Sequence, residues 1–165
     1  MLDSPSPPEG SVAVANPLTL IIPLKDGVDL GQLGKSLAEL QPQIDAALKA
    51  VGTVHYARFV VFDRSSPDLQ PKGGPGPFSL AVITDYDGDF DVYIQDFVNK
   101  VGPVFNALLS FSADGGGLVP VAENLQGFTA YVAANNASQQ PPNNAFGLYS
   151  AYPYTVQQVI AAGGS

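Results

Sequence analysis

The sequence has no cysteine and a single histidine, His55. The first absence excludes disulfides, thiolate nucleophiles, Cys-held zinc and iron–sulfur clusters. The second means that a zinc site would need carboxylates or a second subunit to complete it. Any Ser-His-Asp triad would have to use His55, and no GxSxG elbow accompanies it. No GxxxxGK[ST] or GxGxxG loop is present to cradle a phosphate. Positive charge is scarce: 7 Lys and Arg stand against 15 Asp and Glu, for a net charge of −8. That balance leaves no basic face for nucleic acid or an anionic membrane, and neither is expected as a partner. No apolar run approaches the roughly 18 residues of a membrane span. The opening MLDSPSPPEGS has neither a basic nor an apolar signal region, so a cytoplasmic location is expected. No internal repeat is visible.

What is present suits one globular domain. Hydrophobic residues make up 45% of 165, too many for a disordered chain and enough for a core. Residues 1–16 are Pro/Ser-rich and read as a flexible segment before a single domain over 17–165. Residues 18–24 read as a first strand ending at Pro23. Asp29 can cap a helix carrying Leu30, Leu33, Leu37, Leu40, Ile44, Leu48 and Val51 on one stripe, with Gly52 as its stop. Pro42 is expected to kink or split it. Residues 54–62 form a second strand, apolar on both parities from Arg58 onward and so expected to be covered on both faces. A Pro/Gly loop over 64–77 leads to a third strand, 78–84. A second helix begins near Asp89 and buries Phe90, Tyr93, Ile94, Phe97, Val98 and Val101. Gly102-Pro103 is expected to interrupt it before a further helix with Val104, Phe105, Leu108 and Leu109. Residues 127–134 read as a fourth strand, 135–144 as a polar loop, and 145–165 as an extension ending in a short helix over 155–161. The order is β-α-β-β-α-β, the ferredoxin-like α+β plan, with an antiparallel sheet and helices on one face. The open face would be covered by the extension or by a second copy in a two-fold dimer.

The chemistry concentrates in residues 54–98. Pairing the second and third strands across their loop sets Asp63 opposite Phe78, Arg58 opposite Ile83 and His55 near Tyr86, at the edge where Asp85 and Asp87 also lie. His55, Arg58 and Asp85 then form a candidate catalytic constellation at one sheet edge. The competing reading is structural: a histidine bonded to a neighbour at the strand start and an Arg58–Asp85 pair holding the edge.

The segments VGTVHYARFVVFD (51–63) and FSLAVITDYDGDFDVYIQDFV (78–98), taken with the element order, resemble the dimeric α+β-barrel superfamily over residues 18–134. The likeness is nearest to bacterial proteins related to dye-decolorising peroxidases. The resemblance implies a homodimer through the sheet face and a small-molecule site, peroxidase-like and haem-related, with His55 as the available cofactor ligand. It is specific for fold and not for activity, and a non-catalytic binding or assembly domain is the alternative. The peroxidases' GxxDG motif has Thr84 at its first position here, and no histidine follows His55. The family's own haem ligands are therefore not carried over.

Further candidates come from the residues themselves. Asp85, Asp87 and Asp89, followed by Asp91 and Asp96, place oxygens at EF-hand positions 1, 3, 5, 7 and 12. Glycine falls at position 4, Phe90 takes position 6, and position 12 is Asp rather than Glu. The calcium reading thus competes with carboxylates gathered at a helix N-terminus. Tyr131, Tyr149, Tyr152 and Tyr154 are candidates to line a pocket or to pack with hydroxyls reaching water. Asn136-Ala137-Ser138 fits the glycosylation triplet.

Overall fold

A computed structural model describes residues 15–64, 76–150 and 152–163. Most of the expected flexible N-terminal segment and of the 64–77 loop lie outside these. The chain is an α+β protein: a three-stranded antiparallel sheet, in the order β1-β3-β2, with helices packed on one face. The strands are β1 (Asn16–Pro23), β2 (Val54–Asp63) and β3 (Phe78–Tyr86). The helices are α1 (Leu30–Val51), α2 (Phe90–Leu109), α3 (Leu125–Asn135) and α4 (Val156–Gly163). No helix of the described residues is long and apolar enough to cross a membrane.

The period-two alternation of β1 buries Leu18, Leu20 and Ile22 on the helix side. Leu80, Val82, Thr84 and Tyr86 of β3 lie beside them on the same face, and Leu20 pairs directly with Val82. Helix α1 starts where the Asp29 carboxylate accepts from the Gln32 N–H at 3.0 Å. It ends at Gly52, whose φ of 71° suits the left-handed cap that glycine adopts without strain. Helix α2 is capped by Asp89, which accepts from the N–H groups of Asp91 and Val92. Its buried stripe from Tyr93 to Leu109 supplies most of the helix side of the core.

Several expectations are corrected. Residues 127–134 are not a fourth strand but the body of α3, so the order βαββαβ is not realised. Phe128 and Val132, one helical turn apart, are both buried there, and alanines at 130, 133 and 134 favour the helix. Where a fourth strand would pair, the free edge of β1 meets isolated bridges from Asn136 to Leu20 and from Ser112 to Leu24. Neither proline breaks its helix: α1 runs through Pro42 and α2 through Pro103. Both prolines are exposed, so the carbonyl each leaves unbonded faces water. Strand β3 extends to Tyr86, which puts Asp85 inside the sheet. Strand β2 is an edge strand and is not covered on both faces: Tyr56, Arg58 and Phe62 are exposed. The polar stretch 135–144 folds into 3-10 turns at Ala137–Gln139 and Asn143–Ala145.

Candidate functional site

The β2–β3 ladder has the expected register: Asp63 lies opposite Phe78 and Arg58 opposite Ile83. It departs at the far end, where Val54 pairs with Tyr86 and Tyr56 with Asp85. His55 is the additional residue of a bulge, and such an insertion re-aims a side chain out of the ladder. The His55 Nε2 comes within 2.8 Å of Asp87 Oδ1. The other oxygen of that carboxylate accepts from the Val156 N–H at the start of α4, at 2.7 Å. Asp87 therefore joins the bulge to the C-terminal helix, and Gln157 adds a bond from its Nε2 to the Gly52 carbonyl at 2.7 Å. His55 and Asp87 are both largely buried.

The three residues expected to act together are only partly brought together. His55 and Asp85 line one cleft of about 210 Å³ with Tyr56, Leu148, Tyr149 and Tyr152. Burial raises the Asp85 carboxyl above its ordinary value, an effect that His55 partly offsets. Arg58 is exposed and forms no hydrogen bond or ion pair with another described residue. The Asp-to-His contact is made by Asp87, which the expected register set at the same edge, and not by Asp85 of the expected constellation. Tyr152 stands with its ring centroid 6.4 Å from that of His55 and its hydroxyl 3.5 Å from that of Tyr56. The neighbouring Tyr56 hydroxyl raises the Tyr152 phenol above its ordinary value.

The remaining candidates sit elsewhere. Asp89 caps α2, Asp91 lies in the first turn of α2, and Asp96 lies further along it. Among the described residues no group of three His, Asp or Glu side chains is placed to hold a metal ion. Tyr131 donates to Asp114 Oδ1 at 2.8 Å, away from the cleft, and burial raises its phenol. Asn136 of the glycosylation triplet is buried, with its Oδ1 accepting from the N–H groups of Thr19 and Ser138. Thr84, in the place of the peroxidase glycine, shares a buried hydrogen bond with the Tyr93 hydroxyl at 3.1 Å.

A haem does not fit these residues. The less hindered nitrogen of His55 is committed to Asp87. The cleft of about 210 Å³ lies below the range of roughly 300–1,000 Å³ of pockets that take drug-sized ligands. No family model, no curated protein and no solved structure matches this chain. The functional reading therefore rests on the geometry.

Proposed function

We propose that this chain is a small-molecule-binding α+β domain, with its ligand taken in the cleft between the β2–β3 end and the C-terminal segment. One observation carries the reading: the only imidazole, a carboxyl raised by burial and the phenols of Tyr56 and Tyr152 converge on that cleft. Phenols, imidazole and carboxyl together suit a compact aromatic or amine-bearing molecule, held by ring contacts and by the acid. The His55–Asp87 pair fixes the imidazole as a catalytic dyad does, but Asp87 also holds α4, and a tie serves binding as well as chemistry. The test is an amide-shift NMR screen of small aromatic amines and acids. Saturable shifts at residues 55–57, 85 and 148–150 that disappear in Asp85→Asn support the reading. A folded protein in which no compound moves those amides removes it.

A second reading is favoured by the sheet. On the face away from the helices, β2 presents Tyr56, Arg58, Val60 and Phe62, with Tyr56 67% and Phe62 44% exposed. A ferredoxin-like sheet of this kind would pack face to face with a second copy as a dimeric α+β barrel, in an assembly role that needs no chemistry. The two readings are compatible, because the cleft opens at one end of that face.

A further inference from the structure

On the helix side of the same sheet end lies a second cavity of about 480 Å³, within the range of roughly 300–1,000 Å³ usual for ligand pockets. Tyr86, Asp89, Phe90, Ala133, Asn136 and Gln139 line it. Asp85 and Tyr86 are adjacent on β3 and point to opposite faces, so this cavity and the cleft are separate sites. Two of its polar residues are almost wholly withdrawn from solvent: Tyr86 is 5% and Asn136 3% exposed. Buried polar groups are nearly always bonded. The Asn136 Oδ1 meets that expectation twice, through Thr19 and Ser138. Its Nδ2 donates to no described residue. The Tyr86 ring stacks on Tyr93 with centroids 3.9 Å apart, yet its hydroxyl bonds to no described residue. Both donors keep access to solvent at the cavity wall, and are thus left open to whatever fills the cavity.

The rest of the lining narrows the occupant. Asp89 spends its Oδ1 on the α2 cap, which leaves Oδ2 as an acceptor at the cavity. Gln139 supplies a carboxamide able to donate and accept, and Phe90 and Ala133 supply apolar wall. Burial, and then the charge of Asp89, raise the Tyr86 phenol, so it stays a donor across the neutral range. An anion would satisfy the two donors but meet Asp89 and a net charge of −8. A cation would satisfy Asp89 but would face the two donors of the cavity wall, which it cannot accept from. A hydroxyl both donates and accepts, so vicinal hydroxyls satisfy donors and carboxylate together, while a C–H face lies against the apolar wall.

We propose that this cavity is a binding site for a neutral polyol of monosaccharide size. The proposal does not depend on the cleft. The probes are D-glucose, D-galactose, D-mannose and myo-inositol, titrated into the full chain and followed by amide NMR. The expected result is a saturable shift at residues 88–90 and 136–139 with at least one of them, leaving residues 55–57 and 148–150 unmoved. Tyr86→Phe is the decisive variant: its hydroxyl bonds to no described residue, so the fold keeps its stability while affinity falls about tenfold, the equivalent of one lost hydrogen bond. Asn136→Asp, which keeps Oδ1 but removes the donor, is expected to weaken binding likewise. The proposal is overturned if none of the four sugars gives a saturable shift, or if Tyr86→Phe binds as tightly as the parent.

Discussion

His55 Nε2 and Asp87 Oδ1 lie 2.8 Å apart, and the same carboxylate holds the Val156 N–H through its other oxygen at 2.7 Å. One side chain thus fastens a β-bulge and caps a helix whose own residues are all partly or fully exposed. Because α4 buries no side chain, polar ties account for its place. Asp87→Ala should cost about 1–3 kcal/mol, the range for losing a cap and stranding a partner. His55→Ala should cost less, since the cap on Val156 survives. Urea midpoints give the order, and limited proteolysis should cut the C-terminal segment faster in Asp87→Ala. If His55→Ala is the more damaging variant, the carboxylate is not the centre of the tie.

The Thr84–Tyr93 bond is internal to the core, where water cannot replace a lost partner. Burial raises the Tyr93 phenol far above its ordinary value, so the hydroxyl is always there to share a proton with Thr84. Tyr93→Phe leaves the threonine hydroxyl unmet and should destabilise by about 1–3 kcal/mol. Thr84→Val together with Tyr93→Phe removes both polar atoms and should recover part of the loss. A double variant as unstable as the sum of the single ones would show that the bond contributes nothing specific.

Phe128 explains where sequence reading stopped. It is 0% exposed and meets Phe105 edge-on with centroids 5.1 Å apart. Phe128, Ala130 and Val132 satisfy a two-residue period, while Phe128 and Val132 satisfy the helical one. A run this short does not separate the two, and the alanines around it were the better signal. The β2–β3 register was legible because a hairpin closes symmetrically about its loop. The bulge at His55 was not, since one additional residue leaves no trace in an apolar pattern. The Tyr86–Asn136 cavity was invisible for a different reason: α3 and the turn after it bring Asn136 to β1, and only tertiary packing puts it beside Tyr86. Phe128→Ala should cost about 3–5 kcal/mol, as for other buried aromatics. A loss below 1 kcal/mol by denaturant titration would mean that α3 does not close the core.

The exposed side chains on β2 make the oligomeric state testable. A stable two-fold contact buries about 1,200–2,000 Å² in total, and a three-stranded sheet face is the natural place for it. Sedimentation at micromolar concentration should give a mass near twice 17.2 kDa. Phe62→Glu puts like charges across the two-fold and should return the mass to one chain without unfolding it, because Phe62 lies outside the core. A parent protein that sediments as a single chain overturns the dimer.

Asp85 carries a pH dependence whose sign follows from its burial. Its folded-state value is raised from an ordinary 3.8, first by desolvation, with His55 pulling it partly back. The folded chain therefore holds this proton more tightly than the unfolded chain does. The resulting stabilisation is fully present below pH 3.8 and is lost as the pH rises through the raised folded value. At neutral pH the folded state carries an ionised, half-buried carboxylate that a neutral isostere would spare it. Asp85→Asn should thus have a higher urea midpoint than the parent at pH 7, with the gain shrinking as the solution is acidified towards pH 3.8. Adding His55→Ala removes the compensating imidazole, so the gain from Asp85→Asn should be larger in that background. A gain that grows on acidification, or an Asp85→Asn variant less stable than the parent at pH 7, would mean that a charge partner rather than desolvation governs this carboxyl.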